Sequence, residues 1–158
     1  MKTLIIYSSQ TGNTKKLAEA VYETISGEKE IFPIDDAPGP DGYDLVAVGF
    51  WLQAGKPDPK TADYLPGIGS GQRLFLFATH GAAAGSEHAK NAMEYAKSLA
   101  PDADIAGIFS CSGEVNPKIL EKVMAKPKPP VWLDDAPKAI GHPDNKDIDN
   151  LKRIAGNL

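Results

Sequence analysis

The 158-residue chain contains a single cysteine, Cys111, so it can form no internal disulfide, and such usage fits a reducing compartment such as the cytoplasm. Positive charge is not in excess. Seventeen lysines and arginines face 21 aspartates and glutamates, a formal net charge of −4. That balance argues against nucleic acid and anionic membrane surfaces as partners. No apolar run approaches the roughly 20 residues that cross a bilayer. Met1-Lys2-Thr3 leads straight into an apolar run, so no signal peptide is read. Internal repeats are missing, and the nearest thing to low complexity, Lys126-Pro127-Lys128-Pro129-Pro130, reads as a stiff loop. Several chemistries lack their residues. There is no Gly-x4-Gly-Lys-Ser/Thr phosphate loop. No arginine follows Cys111 in Cys111-Ser112-Gly113-Glu114-Val115-Asn116-Pro117, which excludes a cysteine phosphatase. Gly69-Ser70-Gly71 precedes an apolar run, the wrong context for a serine nucleophile elbow. No histidine or cysteine cluster has metal spacing, and no metal is expected.

What remains is the composition of one ordinary globular domain spanning residues 1–158, 42% hydrophobic and 24% charged. Apolar runs recur at Leu4–Tyr7, Leu45–Phe50, Leu74–Thr79 and Ile105–Ser110, and none alternates apolar with polar. Continuous runs of this length suit strands covered on both faces, as in a parallel sheet. A weaker run, Glu30–Ile34, contains Pro33, which cannot donate to a ladder and so belongs at a sheet edge. Helical patterns lie between the runs. Leu17, Val21 and Ile25 share a face within a helix from Lys15 to Ile25. Ala89, Ala92, Met93, Ala96 and Leu99 form a second stripe, ended by Pro101. A short helix is expected near Lys60–Leu65 and another over Ile119–Val123, opened by Asn116-Pro117. A last one covers Ile148–Ala155. Strands alternating with helices imply right-handed crossovers. The expected fold is therefore α/β: a three-layer, doubly wound, five-stranded parallel sheet of order 2-1-3-4-5.

In such a sheet, ligands bind beyond the carboxyl ends of the strands, where the strand order reverses. Here that point lies between the first and third strands. The segment after the first strand is Ser8-Ser9-Gln10-Thr11-Gly12-Asn13-Thr14, and it leads directly into a helix. The first N–H groups of a helix have no partner inside it, and they point outward with the positive end of the helix dipole. Hydroxyls beside them, with Gly12 allowing close backbone approach, make an anion site suited to phosphate. Two further loops complete the rim. Gly49-Phe50-Trp51-Leu52-Gln53 carries an aromatic. Thr79-His80-Gly81-Ala82-Ala83-Ala84-Gly85 is built of small residues past which backbone can approach a flat ligand.

Ser9-Gln10-Thr11-Gly12-Asn13-Thr14 resembles the phosphate loop of the flavodoxin family, hydroxyl-x-Thr-Gly-x-Thr in this position. The resemblance extends over essentially the whole domain. It implies non-covalently bound flavin mononucleotide (FMN). Ser9, Thr11, Asn13 and Thr14 would donate to the phosphate beside Gln10 and Gly12. The loops bearing Phe50, Trp51, Leu52 and Gln53, and Thr79, His80 and Gly81, would hold the ring. The chain departs from the family's pattern at both ring loops. The stacking aromatic usually sits nearer the position of Gln53, and the loop after the fourth strand has no tyrosine. The resemblance implies an electron carrier working with redox partner proteins. A more open ring face would instead suit a reductase of a small acceptor such as a quinone or tetrapyrrole. No side chain is assigned a catalytic role. Cys111 reads as a buried small hydrophobe, Lys15 and Lys16 as solvent-facing, and Trp132 as a cap on the core.

Overall fold

Each expected apolar run becomes a strand. The computed structural model describes residues 1–83 and 85–158, with the backbone alone at Val131 and Trp132. The strands are β1 (Lys2–Tyr7), β2 (Glu28–Pro33), β3 (Leu45–Gln53), β4 (Lys56–Pro57), β5 (Arg73–His80) and β6 (Asp104–Ser112). The α-helices are α1 (Asn13–Thr24), α2 (Pro59–Tyr64), α3 (Glu87–Ser98), α4 (Pro117–Met124) and α5 (Asn145–Ala155). Short 3-10 segments lie at Ile34–Asp36, Leu65–Gly67 and Val131–Ala139.

The five long strands pair in parallel in the order β2-β1-β3-β5-β6. With the short antiparallel β4 set aside, this is the expected 2-1-3-4-5 order. Successive strand residues point to opposite faces, so each run feeds two cores. On one face Leu4, Ile6, Val46, Val48, Phe50, Leu74 and Leu76 pack with Met93 and Ala96 of α3. On the other, Ile5, Ala47, Phe75 and Phe77 pack with Leu17 and Val21 of α1 and Leu151 of α5. Burial on both faces is why the runs show no alternation. Pro33 does end an edge strand, since β2 pairs only with β1. The side chain of Trp132, expected as a core cap, lies outside the described residues.

Three strands, β3, β5 and β6, run past their expected ends, and the extensions of β3 and β5 shape the rim. β3 continues through Trp51 and Leu52 to Gln53, then folds back through Ala54-Gly55 onto β4, pairing Gln53 with Lys56 and Leu52 with Pro57. Both turn residues have positive φ, 52° at Ala54 and 76° at Gly55. That is the two-residue turn whose twist matches a hairpin. β5 likewise runs on to His80.

Gly49 marks where the sheet tolerates no side chain. A Cβ placed there would lie 2.2 Å from Cε2 of the buried Phe77 ring. Gly49→Ala is therefore expected to overpack the core and lower unfolding free energy by about 1–3 kcal/mol. Urea denaturation checks this, and an unchanged midpoint would contradict it.

Candidate functional site

The site begins where β1 ends. Ser8 turns its hydroxyl away from the loop and donates to the buried Asp58, Oγ to Oδ1, at 2.8 Å. Asp58 in turn caps α2, accepting from Thr61 N and Thr61 Oγ1. Ser8 thus ties the loop to the far end of the β3–β4 hairpin rather than offering a donor to a ligand.

Gly12 is the residue preceding α1, with φ +93° and nothing within 4 Å of where a Cβ would stand. The left-handed backbone favours glycine there, and the space beside it is open. Ser9 Oγ accepts from Gly12 N at 3.0 Å, closing the turn and leaving the Ser9 hydroxyl hydrogen for another partner. No side chain among the described residues caps α1. The other four α-helices each have one: Asp58, Ser86, Asn116 and Asp144 accept from N–H groups of the first turn. Thr11 and Asn13 are both hydrogen-bonding residues suited to capping, yet neither does so. Asn13 instead donates from Nδ2 to Glu114 O at 3.0 Å. Thr14 is buried, and its Oγ1 lies 3.0 Å from Thr79 Oγ1. Two hydroxyls have two hydrogens and spend one between them, so the pair keeps one to donate.

These groups border a cavity of about 580 Å³, within the size range of small-molecule and cofactor sites. Of the expected site residues it gathers Ser9, Gln10, Thr11, Asn13 and Thr14 from the loop. It also gathers Trp51, Leu52 and Gln53 from the hairpin strand, and Thr79, His80 and Gly81 from the end of β5. Gly12 shapes the turn without lining the cavity. Phe50 does not line it either. Strand alternation sends Phe50 to the α3 side, where it is fully buried in the core. Trp51 takes the other face, beside Thr79, its neighbour in register.

His80 is 95% buried, being 5% exposed, and its Nδ1 lies 3.0 Å from Ala82 O. A carbonyl only accepts, so Nδ1 carries the hydrogen and Nε2 presents a lone pair. Nε2 is buried and has no partner among the described residues. Burial lowers the pKa to about 4, opposed in part by the Ala82 hydrogen bond. The ring is thus neutral at pH 7 and is no proton donor to a ligand. Ala82 O also accepts from Ser112 Oγ, and Ala83 N donates to Asp135 Oδ2, so this loop is pinned from two sides. Ala84 lies outside the described residues. Cys111 is buried against α5, where burial pushes its thiol pKa up. Lys15 and Lys16 are exposed as expected, though Lys16 Nζ also reaches Pro143 O at 3.0 Å.

A wall of the cavity went unread in the sequence. Gly113, Glu114, Val115 and Asn116 follow β6, Ile119 and Val123 come from α4, and Lys126, Lys128 and Pro130 come from the proline-rich stretch. The sequence offered partial signals, the helix over Ile119–Val123 and the stiff Lys126–Pro130 loop, but neither was placed beside the cavity. His88 lines the rim from α3 and lies beside Gly55 of the hairpin. Elsewhere, His142, Asp144 and Asp147 bring ligand-type atoms within 4.8 Å of one another. These atoms are already used: Asp144 and Asp147 form the capping box of α5, and His142 Nδ1 lies 2.6 Å from Asp147 Oδ2.

The order of the sheet, with an uncapped helix start opening on a cavity at its reversal point, defines a doubly wound α/β protein with a cavity at the switch point. The flavodoxin domain model matches residues 4–156, and the chain belongs to the flavodoxin family. It is 32% identical over 170 residues to the flavodoxin-like domain-containing protein BilS of Clostridioides difficile, covering 100% of this chain and 96% of that one. A flavodoxin of Streptococcus pneumoniae TIGR4 superposes with a TM-score of 0.65 at 12% identity, over 98% of this chain and 95% of its own. A flavoprotein of Lactobacillus acidophilus, solved in complex with FMN, superposes with a TM-score of 0.51 at 21% identity, over 69% of this chain and 92% of its own.

The protonation of His80 has a measurable sign. Its pKa is depressed in the folded protein, so the unfolded chain binds the proton more readily. Stability is expected to fall as pH drops from about 6.5 to about 4 and to level off below that. Long-range ¹H–¹⁵N NMR should show a neutral Nδ1–H tautomer throughout pH 5–8. A ring titrating near 6.5 would contradict the assignment.

Proposed function

We propose that the chain binds FMN without a covalent link and works as an electron-transfer flavoprotein in a reducing, cytoplasmic setting, passing electrons between redox partner proteins. The observation that carries this reading is the start of α1. Alone among the described α-helices it lacks a side-chain cap, and it opens on the cavity beside Ser9, Thr11 and the Thr14–Thr79 hydroxyl pair. An anion satisfies such a helix start, and a phosphate matches both the donors and the open space at Gly12. Family membership supports the flavin. So does the FMN-bound relative from L. acidophilus.

When bound, FMN would supply reversible electron transfer, the chemistry residing in the cofactor. The protein's part is to anchor and orient. The α1 N–H groups, Ser9 and Thr11 hold the phosphate. Trp51 and Leu52 border the ring on the hairpin side, with Gly81 and the neutral His80 on the β5 side. The hairpin would border the ring, and the neutral His80 would add no charge beside it. Because Asn13 donates to Glu114 O and Ser8 to Asp58, the phosphate loop, the β6 end and the hairpin are held in one geometry.

A second reading is an FMN-dependent reductase of a small acceptor. Its support is the wall from Val115 to Pro130, which extends the cavity beyond the phosphate loop and the ring-bordering strands. A carrier passes electrons to proteins without saturating with small acceptors, whereas a reductase saturates with one.

Thr11 is exposed, so a carboxylate there does not disturb the fold. Thr11→Asp is expected to weaken FMN binding by more than tenfold, over ~1.4 kcal/mol, and riboflavin binding much less. Fluorescence quenching measures both. Equal losses would remove the phosphate from this loop, and a wild-type protein that stays colourless with micromolar FMN would sink the reading altogether.

A further inference from the structure

Within the excursion between β6 and α5, the stretch from Pro117 to Pro130 carries a charge balance opposite to that of the whole chain. Between Pro117 and Pro130 stand four lysines, Lys118, Lys122, Lys126 and Lys128, and one acid, Glu121, in a chain of net charge −4. All four lysines are exposed. Lys2, Lys60, Lys97, Lys138 and Lys152 each pair with a carboxylate, but none of these four does among the described residues. Two of them, Lys126 and Lys128, stand on the rim of the cavity.

A run of lysines on a helix is usually only a solvated face. Three further observations separate this one. Lys126 and Lys128 alternate with Pro127 and Pro129, whose rings fix the backbone and so reduce the ordering cost of docking. Met124, at the end of α4 between Lys122 and Lys126 in sequence, is 64% exposed. A large apolar side chain in water amid lysines has the make-up of a small interface with a charged rim. Finally, the opposite side of α4 faces the cavity through Ile119 and Val123, so whatever docks here sits over the proposed flavin.

We propose that residues 117–130 form the docking surface for an electron-transfer partner whose own contact face is acidic. The inference rests on the carrier reading. Charge complementarity chooses the partner. An acidic face is steered to this strip and repelled by the remaining surface, so attraction and electron exit coincide. A basic partner is drawn to the acidic remainder, away from the cavity. The contact is small, and the encounter is weak and transient.

The test titrates the ¹⁵N-labelled protein with zinc-substituted rubredoxin, a small acidic protein, and separately with cytochrome c, a basic one. At low ionic strength rubredoxin is expected to shift the amides of residues 117–130, and the shifts should fade by about 0.3 M salt. Lys126→Glu combined with Lys128→Glu should weaken rubredoxin binding roughly fivefold or more. Cytochrome c should perturb other surfaces. Cytochrome c on the strip, or rubredoxin shifts elsewhere and indifferent to the double substitution, would overturn the proposal. So would a double variant that loses FMN but keeps riboflavin, because the lysines would then serve the phosphate. The titration needs no flavin. A strip that responds in a protein unable to bind FMN leaves the acidic-partner surface standing and removes the carrier reading. A silent strip in a protein that binds FMN does the reverse.

Discussion

Backbone N–H groups at the start of a helix need partners, and at α1 no side chain supplies one. That single unmet requirement organises the cavity. The chain arrives from β1, reverses through the left-handed Gly12, and enters α1 with its first donors turned to the place where the strand order reverses. The side chains of the first turn are engaged in other ways. Asn13 reaches across to the backbone after β6, and Thr14 is locked to Thr79. The hydrogen bonds that would have closed the helix start go into bracing the walls around it. The elements that border the cavity therefore share one network with the loop that anchors the ligand.

The anchor is rigid because it stands on the sheet. β1 and β3 are buried on both faces, and Ser8 N donates to Gly49 O as the ladder continues past β1. Gly49 itself has room for nothing larger because the Phe77 ring occupies the space. From there β3 proceeds out of the sheet to the hairpin. Ala54 adopts a left-handed conformation that an L-residue enters only at a cost of order 1 kcal/mol. The rest of the hairpin holds it there: β4 pairs with β3, and Asp58, just beyond β4, accepts from Ser8.

The order of the sheet and the place of the site were legible because both follow from short-range patterns. Apolar runs without alternation mean strands covered twice, and a hydroxyl-rich turn between strand and helix means an anion site. The limits of that reading are equally physical. Phe50 and Trp51 are neighbours in sequence, and only the register of β3 decides that one enters the core and the other faces the cavity. An end for β3 at Phe50 concealed that alternation. Ser8 looked like one more loop hydroxyl, and its partner Asp58 is fifty residues away. The helix over Ile119–Val123 and the stiff Lys126–Pro130 loop were legible as local structure, but that they close one wall of the cavity depends on tertiary placement that no local pattern encodes.

The excursion after β6 leaves this fold with two addresses. The hydroxyl-rich loop, the start of α1 and the ends of β3 and β5 beside it belong to the first eighty residues and are tied into the sheet. The far wall hangs on the segment that leaves the sheet after β6, and its rim lysine Lys128 is set between two prolines. Changes there would leave the layered core untouched while altering what reaches the cavity. The sheet side of the cavity and its far wall are thus encoded in separate stretches of the chain, so the second can vary in sequence while the first keeps its geometry.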